Sequence, residues 1–231
     1  MSDFKFPSIL PKRHTLLPVV HAEDTAQVLR NIGIAHDSGA DGVFLINHSV
    51  GPEELLRMYA AARKQYPQFW MGLNLLGLSP LHALERMPDD ANGLWADNAS
   101  ITDHGALPKA IQFAAERASQ PKWKGLYFGG VAFKGQEHVE DPALAAKLAL
   151  PFVDVVTTSG IGTGFAPDVD KIKRMKQAIR KHPLAIASGI TPENAQLFMP
   201  WADCFLVATG ISDSHTEFNR ERMARLVKIL S

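Results

Sequence analysis

The chain of 231 residues contains one cysteine, so no intramolecular disulfide can form. That cysteine, Cys204, lies within an apolar run and reads as a buried strand residue. Net charge is also lacking: 24 basic residues balance 24 acidic ones, so no overall field would hold nucleic acid or an acidic membrane. No apolar run approaches the roughly 20 residues needed to span a bilayer. The first residues, Met1-Ser-Asp-Phe-Lys-Phe-Pro-Ser8, lack the basic-then-apolar pattern of a secretory signal. The expectation is a cytoplasmic protein without nucleic-acid or membrane partners. No linker or low-complexity tract divides residues 1–231, which read as one domain.

What is present is a repeated alternation. Apolar, β-branched runs predict strands at Leu17–His21, Gly42–Asn47, Phe69–Asn74, Gly93–Asp97, Gly125–Phe133, Phe152–Thr158, Leu184–Ser188 and Cys204–Thr209. Helical patterns lie between them at Thr25–Ser38 (stopped by Gly39), Pro52–Gln65, Pro108–Ala118, Pro142–Ala149 and Asp168–Lys181. Thr191-Pro-Glu-Asn194 reads as a helix N-cap followed by proline. Met58, Met87, Met175, Met199 and Met223 fall mostly at helical spacing and read as core filler. Eight strands alternating with helices imply a parallel sheet with both faces covered. Spacing alone leaves a doubly wound open sheet as a competitor. The number eight and the length, near the roughly 250 residues typical of such barrels, favour a single-domain (β/α)8 TIM barrel.

In that fold chemistry belongs to the C-terminal strand ends, and phosphate sits after the last two strands. Those two ends here are Ser188-Gly189-Ile190 and Thr209-Gly210, both small residues with accessible amides. The stretch Ser159-Gly160-Ile-Gly162-Thr163-Gly164 follows the sixth predicted strand and precedes a helix, a second place where amides can approach an anion. It matches neither the dinucleotide fingerprint, lacking the third glycine, nor the Walker pattern, lacking a lysine. The remaining strand ends supply His21, Asn47, His48, Asn74, Asp97, Lys134 and Thr158. Asp97 and Lys134 are the candidates for proton transfer or charge stabilisation, with His21 and Asn74 beside them. His21 and His48 end neighbouring strands, but no His-x-His or His-Glu-x-x-His spacing calls for a metal. No cofactor is required by the sequence. Magnesium arriving with a phosphorylated ligand would leave little trace and stays open. The basic run Lys171-Ile-Lys-Arg-Met-Lys176 reads as the solvated face of a helix. Phe198 and Trp201 leave core and subunit interface both open, and with them a homo-oligomer.

Several segments resemble the BtpA-like family of TIM barrels: Val155-Val-Thr-Thr-Ser-Gly-Ile-Gly-Thr-Gly164, Ser188-Gly-Ile-Thr-Pro-Glu-Asn194, Ala202-Asp203 and Val207-Ala-Thr-Gly-Ile-Ser212. Earlier matches are Pro18-Val-Val-His21, Gly39-Ala-Asp-Gly-Val43, Gly72-Leu-Asn74, Thr102-Asp-His-Gly105 and Val131-Ala-Phe-Lys134. The resemblance implies a barrel related to phosphate-binding barrels, and little about the reaction. This chain departs from the family pattern at Ala22-Glu-Asp-Thr25, Ile46, Gly77 and Gly135, all but the last in the region of the first three strands.

Three functions fit. The first is an enzyme acting on a phosphorylated small molecule, a sugar phosphate or nucleotide-like compound. The second is phosphoribosyl transfer on the loop 157–164, where Thr157-Thr158 stand in place of the usual acid pair. The third is a non-catalytic binding or assembly factor. Aldolase-like Schiff-base chemistry lacks its lysine on the sixth strand, and the Asp-x-Lys-x-x-Asp array that resembles nucleotide decarboxylases is missing.

Overall fold

A computed structural model describes residues 14–119 and 122–231. The predicted barrel is present: eight parallel strands close on themselves in the order β1-β10-β9-β8-β7-β4-β3-β2. They are β1 (Thr15–His21), β2 (Gly42–Ile46), β3 (Trp70–Asn74), β4 (Gly93–Ala96), β7 (Leu126–Gly130), β8 (Val155–Thr158), β9 (Leu184–Ile186) and β10 (Cys204–Val207). Helices α1 (Thr25–Asp37), α2 (Pro52–Gln65), α3 (Pro80–Leu84), α4 (Pro108–Ser119), α5 (Pro142–Ala149), α6 (Val169–Ile179), α7 (Ala195–Phe198) and α8 (Arg220–Leu230) follow the strands in turn. A two-stranded hairpin, β5 (Ile101–Thr102) with β6 (Gly105–Ala106), is inserted after β4. A 3-10 turn, Thr209–Ile211, follows β10.

The local chemistry of the elements follows the sequence closely. Gly39 has φ 83° and ends α1, and Pro52 occupies the first turn of α2. Asp24 and Asp168 cap α1 and α6 by accepting from the amides of Gln27 and Lys171. One expectation is corrected: Thr191 does not cap a helix. Its hydroxyl accepts from the Glu193 amide at 3.2 Å, and Asn194 Oδ1 accepts from the Thr191 amide at 2.8 Å, so residues 191–194 form a tight turn. Helix α7 starts only at Ala195.

Side chains alternate along each strand. One set, including Leu16, Val20, Val43, Leu45 and Leu73, packs outward among helix residues such as Val28, Ile32 and Met58. The other set, Leu17, Val19, Phe44, Ile46, Trp70, Trp95, Leu126, Phe128, Val155, Ala185, Cys204 and Leu206, fills the barrel. Cys204 is fully buried there, as expected. Phe44 occupies the centre, with Trp70, Trp95 and Phe128 edge-on around it at centroid distances of 5.2, 5.7 and 5.1 Å. Such a plug needs space on β3. A Cβ on Gly72 would lie 2.3 Å from the Phe44 ring, which explains glycine at that position.

Gly72→Ala is therefore expected to cost about 1–3 kcal/mol by overpacking. Urea denaturation should show the cost falling sharply when Gly72→Ala is combined with Phe44→Ala, because the clash goes with the ring. Strictly additive losses would mean the two residues do not share space.

Candidate active site at the barrel mouth

The same alternation that fills the barrel decides which side chains crown it. His21 follows Leu17 and Val19 in phase, Asn74 follows Trp70, and Asp97 follows Trp95, so all three surmount the interior cluster. His21, Asn74 and Asn47 are buried. Asn74 Nδ2 donates to Asp97 Oδ1 at 2.9 Å. Burial pushes the Asp97 carboxyl above the ordinary carboxylate range, against the opposing hydrogen bond from Asn74 and the charge of Lys134. Gly130 is what admits Asp97: a Cβ there would lie 2.0 Å from the Asp97 carbonyl oxygen, so only glycine lets β7 run so close to the exit of β4. Gln136 Nε2 then donates to the carbonyls of Asp97 (2.7 Å) and Gly130 (2.9 Å), tying the two exits together.

Lys134 and Asp97 leave neighbouring strands, since Ala96 pairs with Gly129. They feel each other's charge without forming an ion pair among the described residues. Lys134 instead reaches the glycine-rich loop, where Nζ donates to Thr163 Oγ1 at 3.0 Å. Its amide donates to Ser159 Oγ at 2.8 Å. Burial lowers the Lys134 ammonium from its usual range. The chain reaches this position through Ala132, whose φ of 46° is unusual for a non-glycine residue. Two donors fix its carbonyl, Thr158 Oγ1 at 3.1 Å and Lys171 Nζ at 2.7 Å.

The basic run 171–176 reads in the sequence as a solvated helix face, and the structure corrects that for two of its lysines. Lys171 Nζ also donates to the Ser159 carbonyl at 2.9 Å, and burial lowers its ammonium to about 8. Lys176 turns inward too, to Asp203 Oδ2 and the His182 carbonyl. The helix start places Lys171 directly beneath the loops leaving β7 and β8.

The glycines of the three loops have unequal roles. At Gly160 a Cβ would lie 2.1 Å from the Phe165 carbonyl oxygen, at Gly189 2.0 Å from the Ala166 amide nitrogen, and at Gly210 2.0 Å from the Ile190 carbonyl oxygen. These glycines let the three loops stack on one another. Ser188 bridges the same stack, its hydroxyl accepting from Gly160 N (3.1 Å) and donating to the Phe165 carbonyl (2.9 Å). Gly162 differs, because a Cβ there meets only the Phe165 ring, at 3.4 Å, and Gly164 (φ 82°) faces open space. Among the described residues, the amides of Gly162, Thr163, Gly164, Gly189, Ile190 and Gly210 donate to no loop carbonyl. Thr209 is exposed beside them, and Ile190 is buried.

Two expected mouth residues are spent on the scaffold. Asn47 donates to the carbonyls of Val50 and Leu76 and accepts from the Leu76 amide. Thr158 is fully buried on the Ala132 carbonyl.

His21 and His48 do meet, with ring centroids 4.7 Å apart. A third histidine joins them: His215 Nδ1 lies 3.2 Å from His21 Nδ1. It comes from the segment after the 3-10 turn, which the buried amides of α1 hold. Gln27 Nε2 and Asn31 Nδ2 both donate to the Thr216 carbonyl, at 2.6 and 2.7 Å, and Asn31 Oδ1 accepts from the Phe218 amide. A polar residue on the buried face of a predicted helix was the one sequence signal for this anchoring. Burial, then the neighbouring His215 and His48, lowers His21 to about 4, and His48 is lowered as well. His21 is therefore neutral near pH 7, and His48 is held toward its neutral form. Among the described residues no group of three histidine, cysteine or acidic side chains has the geometry to hold a metal ion.

Between the exits of β3 and β4 lies a cleft of about 310 Å³, with Asn74 and Asp97 on its inner side. No helix among the described residues is long and apolar enough to cross a membrane.

No family model matches the chain. An uncharacterised protein of Pyrococcus abyssi is 31% identical over 136 residues, covering 57% of this chain and 52% of that protein. An uncharacterised protein of Pyrococcus horikoshii is 25% identical over the same length. The match thus spans about half the length of these curated relatives. Among solved structures, the chain is similar to (S)-3-O-geranylgeranylglyceryl phosphate synthase from Thermoplasma acidophilum in complex with sn-glycerol-1-phosphate (TM-score 0.67, 16% identity, 99% of this chain and 96% of that one). It is also similar to a phosphoribosyl anthranilate isomerase from Thermus thermophilus (TM-score 0.62, 14% identity, 94% and 98%). A thiamine phosphate pyrophosphorylase from Pyrococcus furiosus gives TM-score 0.63 and 14% identity over 96% and 97%. At these identities the likeness establishes the barrel fold.

The depressed His21 and His182, each at about 4, fix a sign for stability against pH. Between about 6.5 and 4 the unfolded chain takes up protons that the folded chain refuses, so stability is full above that window and falls as pH drops through it. Urea midpoints measured from pH 7 to 4.5 should decline, and His21→Gln should flatten part of the decline. An NMR titration placing the His21 ring near 6.5 would contradict the burial argument.

Proposed function

We propose that this chain is an enzyme that binds a phosphorylated small molecule at the C-terminal barrel mouth and moves a proton on it. Lys134 carries the reading. Its ammonium is bonded to Thr163 of the glycine-rich loop, bears no paired carboxylate among the described residues, and stands next to Asp97. One cation thus serves the anion seat and the acid–base group at once.

In this reading the phosphate rests on the open amides of Gly162–Gly164, Gly189–Ile190 and Thr209–Gly210, with the Lys134 charge completing the seat. Glycines at 160, 189 and 210 bring those loops together. Asp97, raised by burial, is the proton acceptor, because a carboxylate nearer neutrality is the better match to a carbon or hydroxyl proton. Asn74 orients it. Lys134 stabilises the charge that develops on the ligand, Asp97 exchanges the proton it takes with solvent at the open mouth, and neutral His21, 3.2 Å from exposed His215, offers the ligand a hydrogen-bonding ring. Magnesium bound with the phosphate is compatible with this scheme, and nothing in it requires the ion. The motif resemblance supports reading the chain as a divergent branch of the BtpA-like barrels. The solved neighbours include proteins named for phosphorylated compounds, which agrees with the same ligand class.

Phosphoribosyl transfer draws no support from the loop 157–164. Thr157 and Thr158, which would have to face the ribose, are fully buried.

The test exploits the unequal glycines. Substituting Gly160, Gly189 or Gly210 would break loop packing and tell nothing about charge, whereas Gly162 has room for a side chain. Thermal shifts against a panel of monophosphates, with and without magnesium, should reveal a stabilising ligand. At 100 times its dissociation constant the stabilisation is about 2.7 kcal/mol. Gly162→Asp and Lys134→Ala should abolish the shift, and Asp97→Asn should keep it while stopping solvent-deuterium incorporation into the bound ligand. If no monophosphate shifts the wild type, or if Gly162→Asp responds equally, the phosphate seat is wrong.

A further inference from the structure

The strand order sets the phosphate loops and the cleft on opposite sides of one mouth. Going round the barrel, β3 lies four places from β9, and β4 lies four places from β10. Asp97 and Lys134 stand between them. A ligand seated on the amides after β8–β10 and presenting its reacting atoms to Asp97 must send its far end over β3 and β4.

What receives that end has one apolar wall, with Asn74, Ser79, Asp97, Asn98 and Ser100 along its other sides. Leu75, Leu76, Leu78 and Ala83 wall the cleft, Trp95 backs it, and its volume of about 310 Å³ is that of a small-ligand pocket. Trp95 is 5% exposed and carries the aromatic packing of the barrel interior, edge-on to Phe44 and Phe133, up to the floor of the cleft. Lys109 also lines the cleft, a positive charge on the side away from the barrel.

We infer that the non-phosphate half of the ligand is a largely apolar, planar ring, held in the cleft between the β3 and β4 exits. This rests on the phosphate reading for its other end and narrows it: a polyol phosphate would leave the leucine wall and the Trp95 floor unused.

Calorimetric titration with inorganic phosphate, glycerol phosphate and 2-naphthyl phosphate separates the two ends. The ring should tighten binding at least about tenfold over inorganic phosphate, whereas glycerol should add little. Leu78→Asp, which puts a charge on the apolar wall, should erase the ring's gain and leave inorganic phosphate unchanged. Leu78→Trp, which fills the space without charge, should do the same and guards against misfolding of the first variant. A naphthyl compound no tighter than phosphate, or a gain that survives both variants, overturns the inference. If inorganic phosphate fails to bind while 2-naphthyl phosphate binds in a Leu78-dependent way, the cleft stands and the phosphate seat falls.

Discussion

The contact on which this barrel depends is the seating of the Phe44 ring against Trp70, Trp95 and Phe128 inside the strands. A parallel barrel of this size must be filled by its own side chains. Three large aromatics around a fourth can do so only if other positions give up their side chains, and Gly72 and Gly93 do, where a Cβ would lie 2.3 Å from Phe44 and 2.6 Å from Trp70. The plug makes a stiff, dry floor. Because strand residues alternate, a floor of fixed phase dictates that His21, Asn74 and Asp97 stand on it. Packing inside the barrel and chemistry at its mouth are one constraint seen at successive levels of the same strands.

Above the floor the loops owe their positions to side chains that bond to backbone. Lys171, Thr158, Ser159 and Ser188 together fix the carbonyls or amides of Ala132, Lys134, Gly160 and Phe165. On the other side Gln27 and Asn31 hold Thr216 and so bring His215 onto His21. The left-handed backbone at Ala132 is tolerable because two donors hold its carbonyl, and a charged donor contributes about 1.5–3 kcal/mol, comparable to the strain.

How much of this was legible follows from which forces are local. The eight strands were readable because a buried parallel strand is a continuous apolar run. Their predicted ends overshoot where apolar or mouth residues follow the strand, by one residue at Asn47 and Asp97, and further at residues 131–133, where the chain has already turned at Ala132, and at Thr209, which lies in the 3-10 turn. The hairpin at Ile101–Ala106 left no such run, its strands being two residues long. Asp97 and Lys134 could be named because strand ends carry chemistry in this fold. His215 could not, since its partner His21 lies 194 residues away and only tertiary anchoring brings them together. Lys171 was hidden differently. A lysine one turn into an amphipathic helix looks solvated until the loops above it are built, and then its long stem carries the ammonium to carbonyls that nothing in the local pattern announces. The glycines were half legible: their cluster marked the right loops, but whether a glycine makes room for another backbone or for a ligand is a distance, and the sequence holds no distances.

That distinction bears on the field at the mouth. Burial holds His21 and His48 toward the neutral ring, so Lys134 and Lys171, both lowered by burial, are the buried cations of the mouth. A buried ammonium bonded to carbonyls is satisfied in hydrogen bonds but uncompensated in charge. An anion placed on the adjoining loops would supply that compensation and raise both ammonium groups toward their ordinary range. Linkage makes the effect reciprocal: whatever raises the ammonium of Lys171 from about 8 must itself bind more tightly when that lysine is charged. Under the proposed function, burial of these lysines would let the mouth favour a multiply charged ligand over a neutral one of the same shape.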